Sequence, residues 1–388
     1  MTTADAWDGL HALFDIPSGI TYLDAAFMTP IPRPVREAGE AGVATKAAPW
    51  LASRATFYED VERLRDAAAA LIGASAEDIA ITAATSYGIA TAAQNLPLAA
   101  GEAVLTMEGE HNSQVFAWME LAKRSGATHE ELPRPEDGDW TRALLARIAD
   151  GGKPRIAILA LTAVHWTDGA ALDLVAIGEA ARGRGAALVL DGTQSVGVRP
   201  IDVRAVQPDF LAFAPYKWLL GPYGIGLLYA APHRQAGRPL EEHTFSRVGA
   251  DTLTNHYGRE LRFMPGARRY DMGQRANLVT VPMAIAALRL VAALGPERIE
   301  AHLAPLSRRL AEGAAALGFA APRRHAAHLL GLRMPGVDGG TLVAPLRERG
   351  VFVSAREGAL RIGIHVYNDM ADIERALAAL GAVSRPSR

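Results

Sequence analysis

The 388 residues contain no cysteine. That absence removes disulfides, thiolate metal sites and cysteine nucleophiles together. Lysine is nearly as scarce: of the 40 basic side chains only Lys46, Lys123, Lys153 and Lys217 carry an ammonium, and the rest are arginines. An excess of either charge is missing too. The 40 basic and 42 acidic residues leave a formal charge of −2, which gives neither a nucleic-acid footprint nor a polybasic membrane patch. No apolar run is long enough to span a bilayer without a charge or a turn signal, and the opening "MTTADAWDGLHALFD" is acidic where a signal peptide is basic and then apolar. A small-molecule partner and a cytoplasmic location are expected. At 49% hydrophobic residues the chain buries a large core, and its length suggests more than one structural unit.

What is present is an alternation of apolar strands and helices. A helical pattern runs from about Pro34 to Ile72, followed by the short strand "IAIT" and an Ala-rich helix after "ATSYG". The stretch "GEAVLTMEGEHNSQVFAWMELAKRSG" reads as strand, loop and helix. Buried strands follow in "PRIAILALT", "AALVLD" and "PDFLAF", with the helix "DLVAIGEAARGRG" between the first two. Continuous apolar strands alternating with helices are the mark of a parallel sheet covered on both faces. The expected organisation is an N-terminal arm over residues 1–20, a large α/β domain over 21–275 and a smaller α+β domain over 276–388. The small domain is expected to hold two Ala/Leu/Arg helices, short strands in "HLLGLRM", "VFVSA" and "ALRIGIHV", and a final helix capped by Asn368 and ended by Gly381.

Lys217 is the unusual lysine. It stands in "FAPYKWLLGPYGIGLLY" among aromatic and apolar residues, whereas Lys46 and Lys123 have charge-tolerant helical surroundings and Lys153 follows two glycines. Desolvation disfavours an ammonium, and a lysine held as the free amine condenses with carbonyls, so a Schiff base is the natural hypothesis. Its place just after an apolar strand is where ligands collect in open α/β sheets. If the carbonyl is pyridoxal phosphate, three further groups are needed. Asp191, ending "AALVLD", suits the carboxylate that keeps the pyridine nitrogen protonated, although an aspartate opening the turn "DGTQ" explains it equally well when taken alone. Thr85 and Ser86, before a helix, suit the phosphate, and would look the same as ordinary helix caps. His111 in "EGEHNSQ" suits the flat partner of the ring, against the plain reading of a loop histidine.

Taken together, "YLDAA", "ATSYGIA", "GEHNS", "LDGTQSVG", "YKWLLGPYGIGLLY" and "LRIGIHVYNDMADIERALAAL" resemble the class V aminotransferase family of pyridoxal-phosphate enzymes, which includes cysteine desulfurases, isopenicillin N epimerase and kynureninase. The likeness runs from about Tyr22 to Leu380. It implies fold type I, a mainly parallel sheet sandwiched by helices with a smaller C-terminal α+β domain, and a homodimer whose sites are completed across the interface. It further implies Lys217 as the cofactor-bearing lysine, Asp191 at the pyridine nitrogen, His111 on the ring and Gln194 at the phenolic oxygen. Thr85, Ser86 and Tyr216 would hold the phosphate, with Gln274 reaching a neighbouring subunit's phosphate. Arg361 would grip the substrate carboxylate and Trp166 would line the pocket.

The likeness around Tyr216, where desulfurases have a histidine, and around Trp166 is to kynureninase and epimerase relatives and points to cleavage at Cβ, while one departure narrows the reaction further. Desulfurases carry a cysteine on a loop before the carboxylate-binding arginine, and "VFVSAREGALRIG" passes that point without one. The expectation is an α-amino acid bound through an external aldimine and cleaved at Cβ by a lyase or hydrolase, with persulfide-forming desulfuration excluded. Transamination and epimerisation are the alternatives. A non-catalytic homologue is disfavoured by the joint presence of Lys217 and Asp191. An NAD-type fold is disfavoured because no G-x-G-x-x-G opens an early helix.

Overall fold

Successive side chains of the strand Ala187–Asp191 enter two different cores, Leu188 and Leu190 on one face and Ala187 and Val189 on the other. This two-sided burial is why the strands read as unbroken apolar runs. The computed structural model describes residue 7 and residues 9–151, 154–250 and 260–384. Lys153 lies outside the described residues.

In chain order the strands are β1 (Thr21–Tyr22), β2 (Ile79–Thr82), β3 (Ala103–Met107), β4 (Thr128–Leu132), β5 (Ile156–Thr162) and β6 (Ala187–Asp191). They continue as β7 (Phe210–Phe213), β8 (Gly226–Ala230), β9 (Leu329–Leu332), β10 (Val351–Phe352), β11 (Ser354–Arg356) and β12 (Ala359–Gly363). The helices are α1 (Arg33–Ala47), α2 (Arg54–Ile72), α3 (Thr85–Asn95), α4 (Asn112–Ser125), α5 (Trp140–Ala149) and α6 (Leu174–Gly183). After them come α7 (Val203–Val206), α8 (Thr280–Leu294), α9 (Pro296–Ala316), α10 (Gly340–Arg347) and α11 (Met370–Val383).

The large sheet has the order β2-β8-β7-β6-β5-β3-β4. From β7 to β4 the neighbours run parallel, and β8 runs antiparallel to both β2 and β7. Helices cover both faces, with α3 and α4 packed over the core that contains Trp118 and Phe210. The parallel strands all end on one side, so the loops after β3, β5, β6 and β7 converge there. A second sheet, β11-β12-β9, is antiparallel. It is joined to the start of the chain, since β1 pairs with β10 and Asp24 bridges to Gly363, which brings Asp24 beside Arg361.

Several expected elements differ in detail. The helical stretch from Pro34 to Ile72 is broken at residues 48–53, where Pro49 opens a single 3-10 turn and Ser53 caps α2 by accepting the N–H of Ala55. A proline lacks the N–H that a continuous helix would need there. The last helix is capped by Asp369, which accepts from Asp372 N–H at 2.9 Å while Asp372 accepts from Asp369 N–H at 3.2 Å. Asn368 instead donates to Tyr22 O and Asp372, and Gly381 lies inside the helix. Strand β4 escapes the sequence pattern, because "THEEL" is an edge strand with a polar, partly exposed face.

Candidate active site

The loops at the carboxyl ends of the strands enclose a cavity of about 180 Å³. Thr162 ends β5, Asp191 ends β6, and Lys217 is the fourth residue after β7, so three neighbouring strands each contribute a wall. Thr85, Ser86, His111, Trp166, Gln194 and Tyr216 line the same cavity. Gln274 does not: it is exposed and lies elsewhere. Arg361 stands behind the wall, with its guanidinium carbon 5.8 Å from the centre of the Trp166 ring.

The electrostatics follow from burial. Desolvation, reinforced by the charge of Arg361, pushes the Lys217 amine down to about 8, close enough to neutrality for a free-amine fraction. Asp191 is pushed up by burial, opposed by Thr193, whose N–H donates to its Oδ1 at 2.8 Å. A desolvated carboxylate in that position favours a cationic hydrogen-bond donor, which lowers it again. His111 is pushed down by burial and by Lys217. Its Nδ1 accepts the N–H of Ser113 at 3.2 Å as the cap of α4, and its ring meets Trp166 edge-on at 5.1 Å.

Helix α3 begins at the cavity without a side-chain cap, because the residue at its N-cap is Ala84. Thr85 and Ser86 are therefore the first residues of the helix rather than its caps, and their amides are presented to an anion. Gly224, with φ at +79°, carries the chain past this end of the cavity in a conformation that side chains avoid. Tyr216 stacks on Tyr223 at 4.0 Å, and the Lys217 amine lies 5.3 Å from the Tyr216 ring centre. An anion cradle, an acid set for a cationic nitrogen and a desolvated amine thus share one cavity, which fits pyridoxal phosphate.

A sequence model of the family described as aminotransferase class-V matches residues 21–376. The chain belongs to this family. It is a pyridoxal-phosphate-dependent enzyme of fold type I, as the motifs implied. Among curated relatives, a probable cysteine desulfurase of Vibrio cholerae serotype O1 is 27% identical over 82% of this chain and 81% of its own. The apo structure of the cysteine desulfurase of Thermococcus onnurineus superposes with a TM-score of 0.85 at 22% identity, covering 97% of both chains. The structure of a cystine C–S lyase with its reaction product cysteine persulfide superposes with a TM-score of 0.84 at 22% identity, over 94% of this chain and 98% of the other.

The relatives overturn one expectation. Persulfide-forming desulfuration was excluded on the missing cysteine, yet the matching proteins are named cysteine desulfurases. A missing thiol says that this chain cannot hold sulfur as its own persulfide, and says nothing about whether the substrate's C–S bond is broken.

The structure also shows groups that the sequence reading passed over. Thr193 links Asp191 to Thr85, with its hydroxyl 2.7 Å from the Thr85 hydroxyl. Its signal was present, a short hydroxyl side chain two residues after a strand-ending aspartate. Asp24 accepts from Ser354 Oγ at 2.6 Å, and the same Oγ accepts from Arg361 Nε at 3.1 Å. Nothing local in the sequence announces that triad. Gln194 is already engaged: it accepts from Trp218 Nε1 at 2.8 Å and donates to Ala26 O at 3.2 Å.

Proposed function

We propose that this enzyme removes sulfur from a sulfur-bearing α-amino acid, as the names of its relatives describe for them, and that an external thiol takes up the sulfur. The observation that carries the reading is the desolvated Lys217 amine facing Asp191 across one cavity with Arg361 behind it. Pyridoxal phosphate, when bound, supplies an aldehyde that condenses with amines and a ring that takes up electrons from the substrate. Thr85, Ser86 and the start of α3 would hold the phosphate, Asp191 would accept the hydrogen bond of the protonated ring nitrogen, and His111 would pack on the ring. Gln194 and Tyr216 complete the cofactor's surroundings. Arg361 orients the substrate through its α-carboxylate, for which a guanidinium fork is suited. Lys217 moves the proton at Cα. With cysteine as substrate, the thiol attacks sulfur, the C–S pair stays with carbon, and protonation gives alanine: cysteine and RSH become alanine and RSSH.

The working form is proposed to be a cytoplasmic homodimer in which Gln274, exposed in one chain, faces the neighbouring subunit's cofactor. The test is to incubate the cofactor-loaded protein with cysteine and dithiothreitol and to quantify alanine and released sulfide. Equal amounts of both are expected, with KM rising steeply in Arg361→Ala. Formation of pyruvate in place of alanine, or no sulfur release from any sulfur amino acid, overturns the reading.

A further inference from the structure

Gln194 lines the cavity three residues after Asp191, and its amide is held in one orientation by two groups that cannot exchange roles. The indole of Trp218 donates from Nε1 to Oε1 at 2.8 Å, and Nε2 donates to Ala26 O at 3.2 Å. An indole N–H only donates and a carbonyl only accepts, so no reversed amide keeps both bonds. Of the two hydrogens on Nε2, Ala26 O takes one, and among the described residues no second acceptor meets the other. It is available to an acceptor in the cavity.

Trp218 is itself held from the small sheet. It follows Lys217 directly and is buried, and two fully buried histidines close on it. His328, the residue before β9, meets its ring edge-on at 4.4 Å, and His365, two residues after β12, lies 5.5 Å away. His365 Nδ1 accepts the N–H of Val366 at 2.8 Å, which leaves the proton on Nε2 to be donated to Trp218 O at 3.2 Å. His328 likewise donates from Nε2 to Gln194 O at 2.8 Å, since a carbonyl only accepts. Burial pushes both histidines down to about 3, so each is the neutral ring that these bonds require. The backbone joins the pair, because Ile364 N–H donates to His328 O at 2.8 Å. One end of the small sheet thus grips both partners of the indole–amide bond.

We infer that Trp218 is a positioning residue: it sets the Gln194 amide as an N–H donor to the phenolic oxygen of pyridoxal phosphate, and His328 and His365 hold it there from the small sheet. The inference rests on the proposed reading that Gln194 borders the cofactor, and it adds what fixes the sense of the amide. A donor at that oxygen favours the anion left there when the linkage between the cofactor and Lys217 gives up its proton. With Gln194 in place that loss comes at lower pH. The other charged or titratable groups around the Lys217 nitrogen are Asp24, His111, Asp191, Tyr216, Arg356 and Arg361, and they are common to every variant below.

The test is a spectrophotometric pH titration of the cofactor-loaded protein, which reads the midpoint of its visible band without turnover. Trp218→Phe keeps a buried ring and removes the N–H, and Gln194→Leu removes the amide. Each should raise the midpoint by about one pH unit, the scale of one hydrogen bond to a charged group. The double variant should shift no further than either, because the indole acts through the amide. His365→Leu should move the midpoint part of the way, and His365→Gln, which keeps an N–H, should move it less; this pair decides the matter should Trp218→Phe fail to fold. An unchanged midpoint in Trp218→Phe, additive shifts in the double variant, or a His365→Leu protein that titrates like the unmodified one overturns the inference. A midpoint that Gln194→Leu leaves in place would instead overturn the reading beneath it.

Discussion

The hydroxyl of Thr193 lies 2.7 Å from that of Thr85, while the backbone N–H of Thr193 donates to Asp191 at 2.8 Å. One residue therefore ties the carboxylate on the floor of the cavity to the uncapped start of α3. Thr193→Val keeps the shape and removes the hydroxyl. It should lower affinity for pyridoxal phosphate by about tenfold, the worth of a hydrogen bond to a charged assembly. Equilibrium titration of the apo-protein with the cofactor reads this directly, and an unchanged dissociation constant would remove Thr193 from the site.

Lys217 sets a pH dependence for cofactor uptake. Only the free amine condenses with the aldehyde, and its amine is held down to about 8. Below that value the amine fraction, and with it the uptake rate, should fall about tenfold per pH unit, levelling off above it. Stopped-flow absorbance on apo-protein checks the profile. A rate still climbing steeply at pH 10 would mean an unshifted lysine.

Glu110 gives a stability signature of its own. Its carboxyl is buried beside Asp191 and pushed up to about 8, with Oε1 accepting from Thr162 N–H at 2.9 Å and Oε2 without a hydrogen-bond partner among the described residues. A carboxyl whose folded pKa lies above its unfolded value binds its proton more tightly when folded, so stability declines as pH rises from the ordinary glutamate range toward 8. Glu110→Gln cannot ionise. Its melting temperature relative to the unmodified protein should be more favourable at pH 8 than at pH 5, and a pH-independent difference would count against the protonated acid.

Asp271 holds two buried arginines, Arg65 through an ion pair and Arg275 at 3.2 Å, and also accepts Ile81 N–H at 2.9 Å at the edge of the large sheet. Asp271→Ala leaves cations buried without that partner and should cost about 3–5 kcal/mol. Urea denaturation measures it, and a loss below about 1 kcal/mol, the range of exposed pairs, would show that solvent reaches the site.

Much of the fold was legible because two-sided burial leaves a local mark. Strands β5, β6 and β7 are buried throughout and could be read from their apolar runs alone. The edge strand β4 carries His129, Glu130 and Glu131 in its middle and leaves no such mark. The break between α1 and α2 turned on Pro49, and the cap of the last helix on a choice between Asn368 and Asp369. Asparagine and aspartate cap equally well in isolation. Asp369 caps because Asn368 is drawn to Tyr22 O, 346 positions earlier in the chain.

The sequence by itself marked Lys217 as the one lysine in an apolar, aromatic setting and Asp191 as the acid at the end of a buried strand, because desolvation and strand ends are written locally. It also established that no cysteine of this chain can carry sulfur. Only the tertiary structure decided that Thr193 joins Asp191 to Thr85, that Arg361 stands behind Trp166 with Asp24, and that Arg356 lies beside the same ring. These relations are fixed by strand register and by the packing of the small sheet against the large one. Neither leaves a trace in the neighbouring residues of the chain.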